Sequence, residues 1–123
     1  MGQPVKQQSR KLAQAMRELV SFYFQGEGFD STAKPVYSKI SDAIDVAGIP
    51  DVTGVPGVWI SVANRGSHRL SNDLDAAQEE AATAGFRVTA LIAPRPGREI
   101  AQGYAVMTVS DFAQLARAGS PLP

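Results

Sequence analysis

The chain has 123 residues, with twelve Lys plus Arg, twelve Asp plus Glu and no net charge. This length gives one domain with a real core; the lack of cysteine excludes disulfides and cysteine metal sites, and the balanced charge argues against a dedicated nucleic-acid binder, which carries a basic excess or face. No apolar run approaches the roughly 18 residues of a membrane span, and Met1-Gly2-Gln3-Pro4 lacks the apolar core of a secretory signal, so the expected location is the cytoplasm or a particle assembled there.

Residues 1–8 read as a polar arm, 9–118 as the single domain and 119–123 as a tail without helical pattern. Ser9 is placed to cap a helix over about 10–25. Its inward stripe is Leu12, Ala15, Met16, Leu19, Val20 and Tyr23, and Gly26 and Gly28 stop it. Glu18 falls off that stripe and reads as a solvated charge. Lys34-Pro35-Val36-Tyr37 predicts a first strand, confined by Pro35 to an edge or a strand start. Residues 38–49, with Asp42 and Asp45, read as a helical turn or an irregular loop.

The centre of the chain is Asp51 to Asn64. A short apolar run turns at Gly54-Val55-Pro56-Gly57 and returns as Val58-Trp59-Ile60-Ser61-Val62. Two β-rich runs joined by a Gly/Pro turn predict a hairpin. A return strand that is apolar almost throughout predicts a central strand covered on both faces. The piece Asp45 to Pro50 echoes Asp51 to Pro56, two copies being too few for a solenoid.

Arg65-Gly66-Ser67-His68-Arg69 is a polar loop. Leu70 then staples a helix capped by Ser71 or Asn72 and running to Ala84, with Leu74, Ala77, Ala81 and Ala84 facing inward. Its alanines serve as helix filler or allow close approach of another element. Phe86 to Ala93 predicts a buried strand, Pro94 to Glu99 a turn with two arginines, and Gly103 to Thr108 the last strand. Ser110 caps a final helix, Asp111 to Ala118, with Phe112, Leu115 and Ala116 as its apolar face. The sum is an α/β (α+β) domain: a mixed central sheet of four to five strands flanked by helices.

The hairpin resembles that of the PD-(D/E)XK nucleases, most closely the Holliday-junction-resolvase-like proteins of actinobacteria and their phages. There an Asp precedes a turn resembling G-V-P-G, and the strand after it ends in Glu-x-Lys-Asn. Asp51, the turn Gly54 to Gly57 and Asn64 match. Ser61 stands where the family has Glu, and Ala63 where it has Lys. Tyr104 to Phe112, with Leu115, is similar to the family's closing strand and helix, so the likeness covers about residues 9–118. It implies a restriction-endonuclease-like core and a metal-associated Glu on the first helix, for which Glu18 is the candidate.

The family's chemistry needs Mg²⁺ held mainly by carboxylates, with the Lys positioning or activating the attacking water. Of the positions Asp51, Ser61 and Ala63, only Asp51 retains a reactive group. The expectation is therefore a degenerate site with no catalytic residue, no metal and no cofactor, Mg²⁺ entering only if the ligands have moved to Gln78, Glu79, Glu80 or Lys39. Trp59 reads as core rather than as a stacking platform for a base. Arg65, His68, Arg69, Arg95 and Arg98 are the candidate contacts for DNA or a protein partner.

Two functions follow. One is a pseudo-nuclease kept for its surface: a homo-oligomeric structural or interaction subunit of phage origin, incorporated in a virion, for example at the head–tail junction. The other is a branched-DNA binder or weak resolvase.

Overall fold

The structure, a computed structural model, describes residues 5–35, 48–63 and 69–119, with side chains from residue 11 onward. It is an α+β domain. In chain order it has helix α1 (Val5–Gly26), strands β1 (Thr32–Ala33), β2 (Val52–Thr53) and β3 (Val58–Val62), and helix α2 (Leu70–Thr83). Strand β4 (Val88–Ala93), a single 3₁₀ turn (Ile100–Gln102), strand β5 (Tyr104–Val106) and helix α3 (Val109–Gly119) complete it. The five strands form one mixed sheet in the order β1-β2-β3-β4-β5. All neighbours are antiparallel except β3 and β4, which run parallel and are joined through α2.

The hairpin forms where its turn chemistry predicts. Gly54 and Gly57 both have positive φ, +94° and +77°, which glycine adopts without the steric cost of a Cβ. At Gly54 a second constraint acts, because a Cβ there would strike the Asp30 carbonyl just ahead of β1. The turn therefore backs directly onto the chain that enters the sheet edge. β3 is the central strand, as its near-continuous apolar run predicts.

Side chains alternate across β3. Val58 and Ile60 face α1 and join Val20, Val52, Val88 and Ala90 in one core. Trp59 and Ala63 face α2. Trp59 packs against Ala77 and Ala81 and meets the Phe86 ring edge-on at 5.5 Å; Ala63 packs with Leu74, Leu91 and Ala93. The alanines of α2 thus make room for the indole inside the domain.

Several boundaries and faces differ from expectation. α1 is already helical at Val5, ahead of the start near residue 10 that the sequence predicts. On α1, Val20 is buried and Met16 and Tyr23 half-buried, but Leu12, Ala15 and Leu19 are exposed. β1 lies at Thr32–Ala33, and Lys34 and Pro35 of the expected strand are outside it, Pro35 having no N–H to continue a ladder; residues 36 and 37 lie outside the described residues. α2 starts at Leu70 with Arg69 in the cap position and no side-chain cap bond, so neither Ser71 nor Asn72 serves. Ala84, expected inward, lies past the end of α2 and is exposed.

α3 departs most. Its N–H at Asp111 is capped by the Thr108 hydroxyl at 3.1 Å, not by Ser110. Its buried residue is Asp111, whose carboxylate accepts the Thr89 N–H at 3.0 Å. β5 ends at Val106, two residues short of Thr108, which the register would place opposite Thr89. The carboxylate supplies the acceptor that the missing strand would have given. Phe112, Leu115 and Ala116 consequently face outward.

Candidate functional site

The site is built on one row across the sheet. The register that pairs Val52 with Ile60 places Asp51 opposite Ser61. The register that pairs Ala33 with Val52 places Lys34 beside Asp51, and the Lys34 N–H donates to the Asp51 carbonyl at 2.8 Å. Ser61 in turn pairs with Leu91. Directly paired residues point to the same face, so Lys34, Asp51 and Ser61 share the α2 side of the sheet. Asp51 and Ser61 thus stand opposite each other across the hairpin, at the positions its register dictates. The competing alignment on Asp45 falls outside the described residues.

The surroundings of Asp51 are cationic. Its Oδ1 lies 3.0 Å from the Arg17 Nη2 and 3.7 Å from the Lys34 Nζ. Its Oδ2 accepts the Val62 N–H at 2.9 Å. The residue that the register would set opposite Val62 is Pro50, ahead of β2, so the Asp51 side chain continues the ladder where the strand has ended. Both cations are themselves held. Arg17 Nη1 donates to the Lys34 carbonyl at 3.2 Å and reaches the Pro35 carbonyl at 3.5 Å. Lys34 Nζ donates to the Ile49 carbonyl at 3.0 Å.

Above this row opens a cleft of about 420 Å³. Arg17, Lys34 and Asp51 line one side, Ser61 and Ala63 its floor, and Asp73 and Glu80 of α2 the other side. Ser61 is engaged, because the Trp59 Nε1–H donates to its hydroxyl at 3.1 Å. A smaller side chain at 63 is required by packing: Ala63 is 7% exposed between Leu74, Leu91 and Ala93.

Comparison with family models, with curated proteins and with solved structures finds no match.

The functional reading therefore rests on this geometry. A Mg²⁺ ion takes oxygen ligands, carboxylates above all. At this position both oxygens of Asp51 are engaged by donors, the Ser61 hydroxyl is neutral and already an acceptor, and Ala63 offers nothing. Among the described residues no three acidic or histidine side chains converge as a metal-holding group. The residues present do not fit the metal that the resemblance implies. Of the relocated ligands considered, Glu80 lines the cleft, Gln78 and Glu79 do not, and Lys39 lies outside the described residues.

The other candidates do not gather here. Arg65 and His68 lie outside the described residues. Arg69 is exposed at the start of α2, away from the cleft lining. Arg95 lies over the Tyr104 ring, 4.9 Å from its centroid, and Arg98 is exposed beside it in sequence. Glu18 is exposed, and Arg17 reaches the cleft instead from the adjacent position on α1. The sequence carried a signal for Arg17: it sits three residues before the buried Val20, on the inner side of the helix. For Lys34 the signal was weaker, a cation placed immediately before the strand-ending Pro35.

Among the described residues no helix is long and apolar enough to cross a membrane.

Proposed function

We propose that this chain is a non-catalytic interaction subunit on a resolvase-like fold, kept for its surface rather than for phosphodiester chemistry. The observation that carries the reading is the state of Asp51. Its carboxylate is neutralised by Arg17 and Lys34 and tied to the Val62 N–H. A cation-filled carboxylate works against metal binding by simple charge repulsion. The same cluster braces β1, β2 and β3 against α1, which is a structural duty.

The surface supports the same conclusion. Leu19 and Phe22 on α1, and Val109, Phe112 and Leu115 on α3, are exposed. Apolar side chains gathered on exposed faces mark association surfaces. A homo-oligomeric or virion role, for example at a head–tail junction, is the form of this proposal that the resemblance suggests.

The test is incubation of the purified protein with a four-way DNA junction and a linear duplex, at low and moderate salt with Mg²⁺. Products are run on native and denaturing gels. The reading predicts intact DNA and no junction-selective shift. Cut DNA would overturn it. A salt-sensitive shift without cutting would replace it with branched-DNA binding.

A further inference from the structure

We infer that the chain assembles head to tail with copies of itself, the β1 edge of one subunit docking on the β5 edge of the next. This rests on the reading of the chain as an interaction subunit and specifies its partner and geometry.

The two edges of the sheet carry opposite charge around exposed apolar residues. On the β1 side, residues 18–33 include Glu18, Glu27 and Asp30 and no Lys or Arg; the flanking Arg17 and Lys34 are both paired with Asp51 in the cleft. All three carboxylates are exposed. Among them stand Leu19, Phe22 and Phe29, Phe22 being 74% exposed. The nearest exposed cation earlier on α1, Lys11, is two turns before Glu18.

The β5 side is the reverse. Residues 84–119 hold Arg87, Arg95, Arg98 and Arg117 against Glu99 and Asp111. Asp111 is turned inward onto Thr89, which leaves Glu99 as the exposed carboxylate of this stretch. α3 follows β5 after two residues and is held to this side of β4 by the Asp111 bond. It presents Val109 at 85% and Phe112 at 60% exposure, with Leu115 beside them. Tyr104 is exposed on β5 beneath the Arg95 guanidinium.

Like edges repel. Two β1 edges would set Glu18, Glu27 and Asp30 against their own copies, and two β5 edges would set arginine against arginine. Unlike edges bring carboxylates to arginines and phenylalanines to an apolar helix face, the complementarity that sets register and excludes wrong partners. Because β1 and β5 are the opposite edges of the five-stranded sheet formed by the described residues, the contact is heterologous. It produces a ring if the rotation closes and an open chain if it does not.

The joint is made by side chains, not by extending the sheet. Gln25 Nε2 donates to the Ser31 carbonyl at 2.8 Å, and Arg17 occupies the Lys34 and Pro35 carbonyls. These bonds engage carbonyls on either side of β1, and an edge strand of only two residues offers little template for strand addition.

The experiment is sedimentation of the full chain and of two variants, Phe22→Asp and Phe112→Asp, alone and mixed one to one. The expected mass of the native chain exceeds the 13.0 kDa of one copy, grows with concentration or settles at a ring, and falls as salt screens the charges. Each variant alone should stay at one chain. The mixture should form a two-chain species, because the intact β5 edge of one meets the intact β1 edge of the other. Circular dichroism checks the fold, and Leu19→Asp with Leu115→Asp replaces any variant that fails it. A native chain of single mass at every concentration would overturn the inference. So would a variant that still pairs with itself, which means a symmetric dimer and leaves the interaction reading standing, or a mixture that stays monomeric. That broader reading is removed by the gel assay, through junction cutting or a salt-sensitive shift.

Discussion

Replacing Asp51 by Ala removes three contacts at once, and their sizes can be worked from the structure. The Val62 N–H loses an ionised acceptor at 2.9 Å; hydrogen bonds to charged groups contribute about 1.5–3 kcal/mol. The Arg17 pair at 3.0 Å joins side chains that are 18% and 16% exposed, between the fully exposed and fully buried cases, so about 1 kcal/mol is the reasonable share. Lys34 at 3.7 Å adds little. The expected loss is about 3 kcal/mol, which for a domain of this size lowers the thermal midpoint by roughly 10 °C. Urea unfolding followed by circular dichroism measures it. Asp51→Asn keeps an acceptor for Val62 and should lose about 1 kcal/mol. In a double-mutant cycle, Asp51→Ala with Arg17→Ala should cost about 1 kcal/mol less than the sum of the single changes. A stability for Asp51→Ala within about 0.5 kcal/mol of the native chain would refute the reasoning, and would mean that the carboxylate is free for other work.

Further outcomes follow from the same packing. Ala63→Lys, which introduces the Lys of the pair that the nuclease resemblance implies, forces an ammonium among Leu74, Leu91 and Ala93; it should destabilise by about 2–4 kcal/mol in chemical denaturation rather than create activity. Asp111→Ala strips the acceptor from the buried Thr89 N–H and should cost about 2 kcal/mol, read as a lower urea midpoint, with faster hydrogen exchange at Thr89. Gly54→Ala meets both a positive φ and the Asp30 carbonyl; a loss above about 3 kcal/mol, or failure to fold, is expected in the same assay. Ser61→Ala leaves the Trp59 N–H without its acceptor and should cost about 1–2 kcal/mol, with a shift in tryptophan fluorescence.

The hairpin, the central strand and the buried β4 were legible in the sequence because their signals are local. Gly54-Val55-Pro56-Gly57 specifies its own turn, and the runs at 58–62 and 88–93, apolar but for Ser61 and Thr89, can only be buried strands or helix segments too short to stand alone. The inward face of α2 was legible for the same reason, since Leu74, Ala77 and Ala81 share one stripe. α1 and α3 were misread on a common ground. Periodicity says which residues share a helix face, not what covers it. On α3 the apolar stripe yields to Asp111, because the sheet needs a hydrogen-bond acceptor beyond the end of β5 more than it needs another phenylalanine. In the cleft, Asp51 and Ser61 were found through the hairpin, whose register is set by its turn. Arg17 was missed because its spacing from Val20 shows only that it lies on the inner side of α1, while its reach to Asp51 depends on how α1 crosses the sheet edge.

The central claim is that the Asp51 cleft is a braced structural joint and not a metal site. The most direct measurement is a Mn²⁺ titration of the isotopically labelled protein followed by amide resonances. The ion broadens any amide near its binding site whether or not a substrate is known. The account predicts no selective loss at Asp51, Ser61 and Val62 relative to exposed carboxylates such as Glu79. Selective broadening centred on those three, abolished by Asp51→Asn, would contradict it and return the cleft to metal-dependent chemistry.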